Sequence, residues 1–168
     1  EHNPKHRLAL FELGLIHEKS KDFVAAIDYY TKSLRIKNDS EIYFNLGVCY
    51  LKKGDLKLAY RNLTKSLLLN PNKYQIYNNI GLIHERNENF REAIKMLEIG
   101  TKLNPNNAIG FYNLGIVYEK TKDRKKAIES FEKAISCNYK NKSILKQKVI
   151  ELKKAEENST SYNYSFDM

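Results

Sequence analysis

The chain has 168 residues, of which 42% are hydrophobic and 29% are charged, and its formal net charge is +9. This apolar content is enough for a folded core. No apolar run approaches the length of about 18 residues that indicates a membrane span, and the first residues lack a signal-peptide pattern. We therefore expect neither a membrane span nor a secretory leader. The excess of Lys and Arg permits nucleic acid or acidic partners. Basic and acidic residues are nevertheless mixed throughout, which is typical of a solvated helical surface.

A five-residue pattern recurs along most of the chain. The sequence Leu-Phe-Glu-Leu-Gly at 10–14 is followed by related copies at 43–47, 77–81 and 111–115. The glycines that end these copies are about 34 residues apart, and self-similarity at this period indicates an array of stacked repeats. Because such an array grows by adding units to a continuous core, the length does not indicate one compact domain.

Each repeat predicts two helices. In the second repeat Tyr43, Leu46 and Tyr50 fall on one helical face. A break follows, and good N-cap residues then stand at one position in all four repeats, namely Asp22, Asp55, Asn89 and Asp123. The predicted helix pairs lie at about 6–19 and 23–36, 40–53 and 56–69, 74–87 and 90–103, and 108–121 and 124–137.

Small residues predict close packing within each repeat. Gly47 lies in the middle of a predicted helix, where glycine costs about 1 kcal/mol relative to alanine. We expect close approach of the partner helix to compensate for this cost. The second helices carry small, large and small residues at spacings of four and three, as in Ala26, Tyr30 and Ser33. The small residues let two helices approach, and the large residue fills the space between them.

This pattern resembles the tetratricopeptide repeat. The fourth repeat carries it most fully, through Phe111, Leu114, Gly115, Tyr118, Ala127, Phe131 and Ala134. Pro71 and Pro105 end the second and third repeats as in the family, whereas His17 and His84 replace its tyrosine. The resemblance implies an all-α, right-handed superhelical solenoid of antiparallel helix pairs, whose first helices line a concave groove.

The expected organisation is four repeats followed by a single helix. The repeats occupy residues 1–141, at about 7–39, 40–73, 74–107 and 108–141. Residues 142–158 are amphipathic and predict a capping helix that covers the last repeat with a polar outer face. The polar segment 159–168 has no period, so we expect a disordered tail. Its three aromatic residues, Tyr162, Tyr164 and Phe166, leave a short docking motif as the alternative.

No constellation of catalytic residues, cofactor motif or metal site is recognisable. The chain lacks a Gly-rich phosphate loop, a His-Glu-x-x-His motif and a Gly-x-Ser-x-Gly motif, so we expect no enzyme and no cofactor. His17 and His84 lie two repeats apart, too far to share a metal, and are expected to pack between helices. Cys49 and Cys137 occupy apolar repeat positions, so we expect two small buried residues and a reducing, cytoplasmic compartment.

The first helices supply a candidate peptide-binding row. Asn45, Asn79 and Asn113 occupy one position in three successive repeats, with Glu12 in the first. An amide side chain both donates and accepts hydrogen bonds, so such a row can hold the backbone of an extended peptide whatever its sequence. The alternative is that these residues only bridge neighbouring repeats.

Two further rows flank the asparagines. Phe11, Phe44, Asn78 and Tyr112 stand one residue earlier, and Lys19, Lys52, Arg86 and Lys120 form a basic row farther along the helices. Aromatic residues favour docking of side chains, and the cations favour acidic or carboxylate ligands. A solvated edge explains the basic row equally well. The carboxylate clamp of heat-shock co-chaperones is not expected, because only its asparagine survives when the repeats are aligned in either register.

The sequence therefore predicts an adaptor or scaffold that binds a peptide segment of a partner protein. The groove residues are expected to be Asn45, Asn79, Asn113, Phe44, Asn78, Tyr112, Lys52, Arg86 and Lys120. One alternative is a structural segment that self-associates within a larger assembly. A second is an electrostatic nucleic-acid surface supported by the lysine-rich residues 140–154, although nucleic acid is the less expected partner.

Overall fold

The computed structural model describes the backbone of residues 4–164 and the side chains of residues 5–158. All regular secondary structure in this part of the chain is helical. The helices are α1 (Pro4–Lys19), α2 (Phe23–Ile36), α3 (Ser40–Lys53), α4 (Leu56–Leu69), α5 (Tyr74–Arg86), α6 (Phe90–Leu103), α7 (Ala108–Lys120), α8 (Arg124–Ser136) and α9 (Lys142–Tyr164). The prediction of an all-α fold built from helix pairs and a C-terminal helix is confirmed. None of these helices combines the length and apolarity that crossing a membrane requires.

The chain forms two compact units, Glu1–Ile83 and His84–Met168. In the first unit α1 packs on α2, α2 on α3, and α3 on α4. The core between α2 and α3 contains the fully buried Tyr30 and Cys49 together with Ile42 and Leu46. The first helix of the second repeat, α3, is therefore covered by α2, the second helix of the repeat before it.

The second unit repeats this arrangement. Its helix α6 packs on α7, α7 on α8, and α8 on α9. The core is built around Leu97, Val117 and Phe131, and α9 adds Leu145 and Val149 to it. The C-terminal helix thus covers the last repeat with an apolar stripe.

Glycine allows the two helices of a repeat to approach closely. A Cβ atom at Gly47 would lie 2.7 Å from Cγ of Leu63 and 3.2 Å from the Leu63 backbone nitrogen, which is too close. The same substitution at Gly14 would meet the ring of Tyr30, and at Gly115 the ring of Phe131. The close approach expected from the sequence is present in both units.

The second helices begin at the predicted caps. The side chains of Asp22, Asp55 and Asp123 accept hydrogen bonds from backbone N–H groups three residues later, at 3.1, 2.9 and 3.2 Å. Asn89 also occupies an N-cap position, but its side chain makes no capping hydrogen bond. Three of the four expected capping bonds therefore form.

The C-terminal helix is longer than predicted. It continues to Tyr164, so an unstructured tail beginning at residue 159 is wrong for residues 159–164. The physical reason is that residues 155–164 contain neither glycine nor proline, and nothing in their covalent structure stops a helix. Residues 165–168, including Phe166 of the alternative docking motif, lie outside the described residues.

Candidate functional site

In the first unit the side chain of Asn45 connects two neighbouring repeats. It lies on α3, only 8% exposed, and its side chain hydrogen-bonds to the Tyr30 hydroxyl, which itself donates to Oε2 of Glu18 at 2.6 Å. Burial and the Glu18 carboxylate raise the pKa of Tyr30 well above its usual range, while the bond from Asn45 opposes that shift. Because Tyr30 belongs to the first repeat and Asn45 to the second, the amide here joins neighbouring repeats.

The other two asparagines of the row are half-buried. Asn79 lies on α5 in the first unit, and one of its two amide hydrogens is donated to the Gln75 carbonyl oxygen at 2.9 Å. Asn113 lies on α7 in the second unit. Both side chains retain access to solvent, which distinguishes them from Asn45.

In the row that stands one residue before the asparagines, the side chains of Phe44 and Asn78 are largely covered by other residues of the same chain. Asn78 is 8% exposed and does not offer its side chain to solvent. The ammonium group of Lys73 lies 3.8 Å above the centre of the Phe44 ring and also pairs with Glu41. The expectation that the whole row faces a ligand is therefore too broad: Asn78 is part of the interior, and Phe44 is partly covered by a cation.

Tyr112 occupies the same position in the second unit. Its ring stacks on that of Tyr139 with centroids 4.5 Å apart, and the Phe131 ring lies at 6.0 Å. Burial raises the pKa of Tyr139, and the neighbouring Tyr112 adds to the shift. One part of the Tyr112 side chain therefore packs against the core and the other part lies at the surface. Stacking on Tyr139 fixes the orientation of its ring.

The residues of the basic row are exposed, and at least one of them is ion-paired within the chain. Lys52 and Arg86 are exposed on the last turns of α3 and α5. Lys120 forms an ion pair with Glu85 in the second unit, so part of its charge is already compensated. The basic C-terminal helix shows the same behaviour, because Lys148 pairs with Glu119 at 2.7 Å and Lys153 with Glu132 at 2.7 Å.

The two cysteines differ in their surroundings. Cys49 is fully buried, and this burial raises the pKa of its thiol to about 12. Cys137 follows the end of α8 and is only half-buried, with its sulfur 3.5 Å from the Pro105 carbonyl oxygen. The expectation of two buried residues is correct for Cys49 and wrong for Cys137, because the helix ends one residue before it.

A cleft that we did not predict lies in the second unit, between α6, α7 and α8. Its volume is about 430 Å³, its floor contains Phe111 and Tyr118, and its rim carries Lys102, Lys126 and Lys133. Tyr118 donates a hydrogen bond to Glu98 at 3.1 Å across the cleft, and burial followed by this bond raises its pKa to about 12. Phe111 and Tyr118 belong to the repeat pattern, and the sequence gives no signal that a cleft forms between them.

The chain matches the sequence patterns of a known repeat family. Tetratricopeptide repeat patterns match residues 40–73 and, in a second form, residues 1–41 and 78–140. A stretch of 72 residues is 39% identical to the mitochondrial import receptor subunit TOM70 of Saccharomyces cerevisiae. That stretch makes up 43% of this chain but only 12% of the receptor subunit, so the likeness concerns a small part of that protein.

Solved structures resemble most of the chain. The structure of YrrB, described as a TPR protein with an unusual peptide-binding site, has a TM-score of 0.73 at 26% identity, over 88% of this chain and 74% of that one. The pilF protein of Pseudomonas aeruginosa shares the fold, with a TM-score of 0.80 at 24% identity over 97% and 74% of the two chains. Together with the helix pairs and their buried glycines, these matches show that the chain belongs to the tetratricopeptide repeat family and is a protein-interaction module.

Proposed function

We propose that this chain is a non-catalytic adaptor that binds a peptide segment of a partner protein through the exposed surface of its first helices. Each unit offers its own contacts to such a segment. In the first unit Asn79 binds peptide backbone and Lys52 attracts acidic groups. In the second unit Asn113 binds peptide backbone, Tyr112 provides an apolar contact and Arg86 attracts acidic groups. A contact of this size corresponds to a micromolar affinity, or about −8 kcal/mol.

The observation that supports this proposal is the difference between the asparagines. Asn45 is buried and engaged with Tyr30, whereas Asn79 and Asn113 stand at the same repeat position and keep solvent access. Asn79 uses one amide hydrogen within its own helix, and an amide has a second hydrogen and an acceptor oxygen for a ligand backbone. A contact with the preceding repeat accounts for Asn45, and the solvent access of Asn79 and Asn113 supports a ligand-binding role for these two.

The relatives support recognition of protein segments. YrrB is described as having a peptide-binding site, and the yeast relative is a receptor subunit for mitochondrial import. The net charge of +9 and the exposed Lys52 and Arg86 favour a partner segment rich in Asp and Glu. The ion pairs of Lys148 and Lys153 do not favour the alternative of a nucleic-acid surface on α9, because they neutralise part of its charge.

The test compares binding by variants of the first helices with binding by variants of the α6–α8 cleft. Peptides are first selected from a random library on the wild-type chain, and the affinity of the best binder is then measured for each variant. Asn79→Ala with Asn113→Ala should weaken binding by about tenfold or more, because each lost hydrogen bond contributes about 1 kcal/mol. Far-UV circular dichroism verifies that the variants remain helical.

The matched control carries Lys102→Gln and Lys133→Gln on the rim of the cleft. It removes two exposed cations without touching a first-helix asparagine, so peptide affinity should stay within about twofold of the wild type. If the cleft variant loses binding while the asparagine variant keeps it, the site lies on the second helices and the proposal is wrong.

A further inference from the structure

The cleft between α6, α7 and α8 has charged walls. Each wall carries a glutamate followed four residues later by a lysine, and this spacing places both side chains on one face of their helix. The pairs are Glu98 and Lys102 on α6 and Glu129 and Lys133 on α8. The three helices are consecutive and contribute to the core of the second unit, so every residue that lines the cleft belongs to the described part of the chain.

The two lysines lie at one end of the cleft, beside Phe111. The ammonium group of Lys133 is 5.6 Å from the centre of the Phe111 ring. Lys102 follows Thr101, whose methyl group is so close to Gly110 that an added Cβ would lie 3.0 Å from it. Neither lysine forms an ion pair with any residue that the structure describes. We call this end of the cleft the lysine end.

The two glutamates lie at the other end, beside Tyr118. Glu98 accepts a hydrogen bond from the Tyr118 hydroxyl at 3.1 Å. Burial is the main reason that the pKa of Tyr118 is raised, and the nearby carboxylates of Glu98 and Glu129 add to it. Lys126 also lies at this end, where it pairs with Asp123 at 3.3 Å, so its charge is already matched by a carboxylate. This glutamate end therefore keeps an excess of negative charge.

An apolar floor connects the two ends. Phe111, Leu114 and Tyr118 are spaced three and four apart, so they line one face of α7 between the charged walls. On each wall four residues separate the lysine from the glutamate, which corresponds to about 6 Å along the helix axis. The complementary ligand has a carboxylate at one end, an ammonium group at the other and an apolar chain between them.

We propose that this cleft binds the C-terminal lysine residue of a partner polypeptide. Its carboxylate is bound at the lysine end, its side-chain ammonium group is bound at the glutamate end, and its methylene groups pack on the floor. An extended lysine side chain separates its two charges by a distance comparable to the rise of one helical turn. The cleft uses none of the exposed asparagines, so this site goes beyond the peptide-binding function.

A C-terminal residue fits the cleft better than the free amino acid. Free lysine carries a second ammonium group beside its carboxylate, and the lysine end repels this group. In a C-terminal residue an uncharged amide takes its place. The two sources of the same chemistry are therefore distinguishable by their affinity.

The first test uses Nα-acetyl-L-lysine, which has the two charges of a C-terminal lysine residue. Its binding to the full chain is followed through the backbone amide signals of the isotope-labelled protein in NMR spectra. We expect saturable shifts at Phe111 and Tyr118. Nα-acetyl-lysine amide lacks the carboxylate and hexanoate lacks the ammonium group, and each should bind about tenfold more weakly. Free lysine should also bind more weakly than the acetylated probe.

Variants of the chain locate the bound probe. Lys102→Gln with Lys133→Gln should weaken binding of Nα-acetyl-lysine by about tenfold. The matched control, Lys140→Gln with Lys154→Gln, removes two exposed lysines of the same unit that do not line the cleft, and it should leave affinity unchanged. All four side chains are exposed, so we expect both variants to fold.

The opposite end is tested in the same way. Glu98→Gln with Glu129→Gln should also weaken binding by about tenfold, and the amide oxygen introduced at position 98 can still accept the hydrogen bond from Tyr118. The Asn79→Ala, Asn113→Ala variant should bind the probe as the wild type does. Loss of binding in that variant would mean that the cleft is not a separate site.

Three further results would overturn the inference. The first is the absence of saturable shifts with Nα-acetyl-lysine, which would mean that the charged walls are only a solvated surface. The second is equal binding of the acetylated probe and its amide, because the lysine end would then not bind the carboxylate. The third is equal or tighter binding of free lysine, which would assign the cleft to the free amino acid.

Discussion

At the level of single residues, helix propensity and packing have opposite effects on stability at Gly47. Replacing a glycine inside a helix with alanine ordinarily stabilises it by about 1 kcal/mol. Here the added methyl group would meet the fully buried Leu63 and its backbone nitrogen, and overpacking of this kind costs about 1–3 kcal/mol. Whether Gly47→Ala raises or lowers the free energy of unfolding therefore shows whether helix propensity or packing has the larger effect.

We predict that Gly47→Ala lowers the free energy of unfolding by about 1–2 kcal/mol, as measured by urea denaturation followed by circular dichroism. Leu63→Val in the same chain should recover part of the loss, because the smaller side chain makes room for the methyl group. The double variant would then be more stable than the sum of the two single changes predicts. An increase in stability for Gly47→Ala alone would contradict the close approach of α3 and α4.

The two cysteines give a second prediction at this scale. The thiol of Cys49 is fully buried and its pKa is raised to about 12, so at pH 8 it is protonated and inaccessible. Cys137 is half-buried at the end of α8. We expect one of the two thiols to react quickly with Ellman's reagent in the native chain and both to react after unfolding. Cys137→Ser should abolish the fast reaction, and persistence of that reaction would show that Cys49 is accessible.

At the level of helices, the N-caps predict unequal contributions to stability. Asp55 accepts a hydrogen bond from the Leu58 backbone N–H at 2.9 Å, whereas Asn89 occupies the same repeat position without such a bond. Asp55→Ala should therefore lower the free energy of unfolding by about 1 kcal/mol, and Asn89→Ala by only a few tenths. Urea midpoints of the two variants provide the measurement. Equal losses would mean that the side-chain bond of Asp55 contributes nothing beyond its backbone conformation.

The helices show which features the sequence reveals. Repeat periodicity and capping residues locate every helix start to within about two residues. They succeed because the apolar spacing of a helix and the capping of its first backbone N–H groups both depend on residues that are close in sequence. The end of α9 is not predictable in this way, since the polar residues before Tyr164 have no apolar period and yet contain nothing that breaks a helix. The turns between the two helices of a repeat also lack a signal: Lys21, Glu88 and Lys122 adopt positive φ values at the repeat position of Gly54, the residue type that this conformation favours.

The candidate site was less predictable than the fold for a physical reason. The repeat register identifies which residues are equivalent, but each equivalent residue meets different neighbours. Asn45 contacts Tyr30 of the preceding repeat, and the repeat register does not predict this contact. In the same way Phe44 is covered by Lys73 and Tyr112 by Tyr139, contacts between side chains that are remote in sequence. Exposure, and with it the capacity to bind a ligand, depends on these non-local contacts.

At the level of the whole molecule, buried thiol and phenol groups make the free energy of unfolding depend on pH in the alkaline range. Burial raises the pKa of Cys49 and of Tyr118 to about 12 from ordinary values of 9.0 and 10.0, and burial with the Glu18 contact raises that of Tyr30 further. Both units contain at least one such group. Because the unfolded chain releases these protons at lower pH than the folded chain, deprotonation favours unfolding.

We therefore predict that stability is fully present below about pH 9 and is lost as the pH rises from about 9 towards 12. Urea midpoints measured at intervals between about pH 7 and 11.5 should be flat at first and then fall. Cys49→Ala with Tyr30→Phe removes the two titrating groups of the first unit, so this variant should lose less stability than the wild type across the alkaline range, whatever its stability at neutral pH. A wild-type midpoint that stays constant to pH 11.5, or a variant with an equally steep decline, would show that these buried protons do not control the alkaline unfolding of the protein.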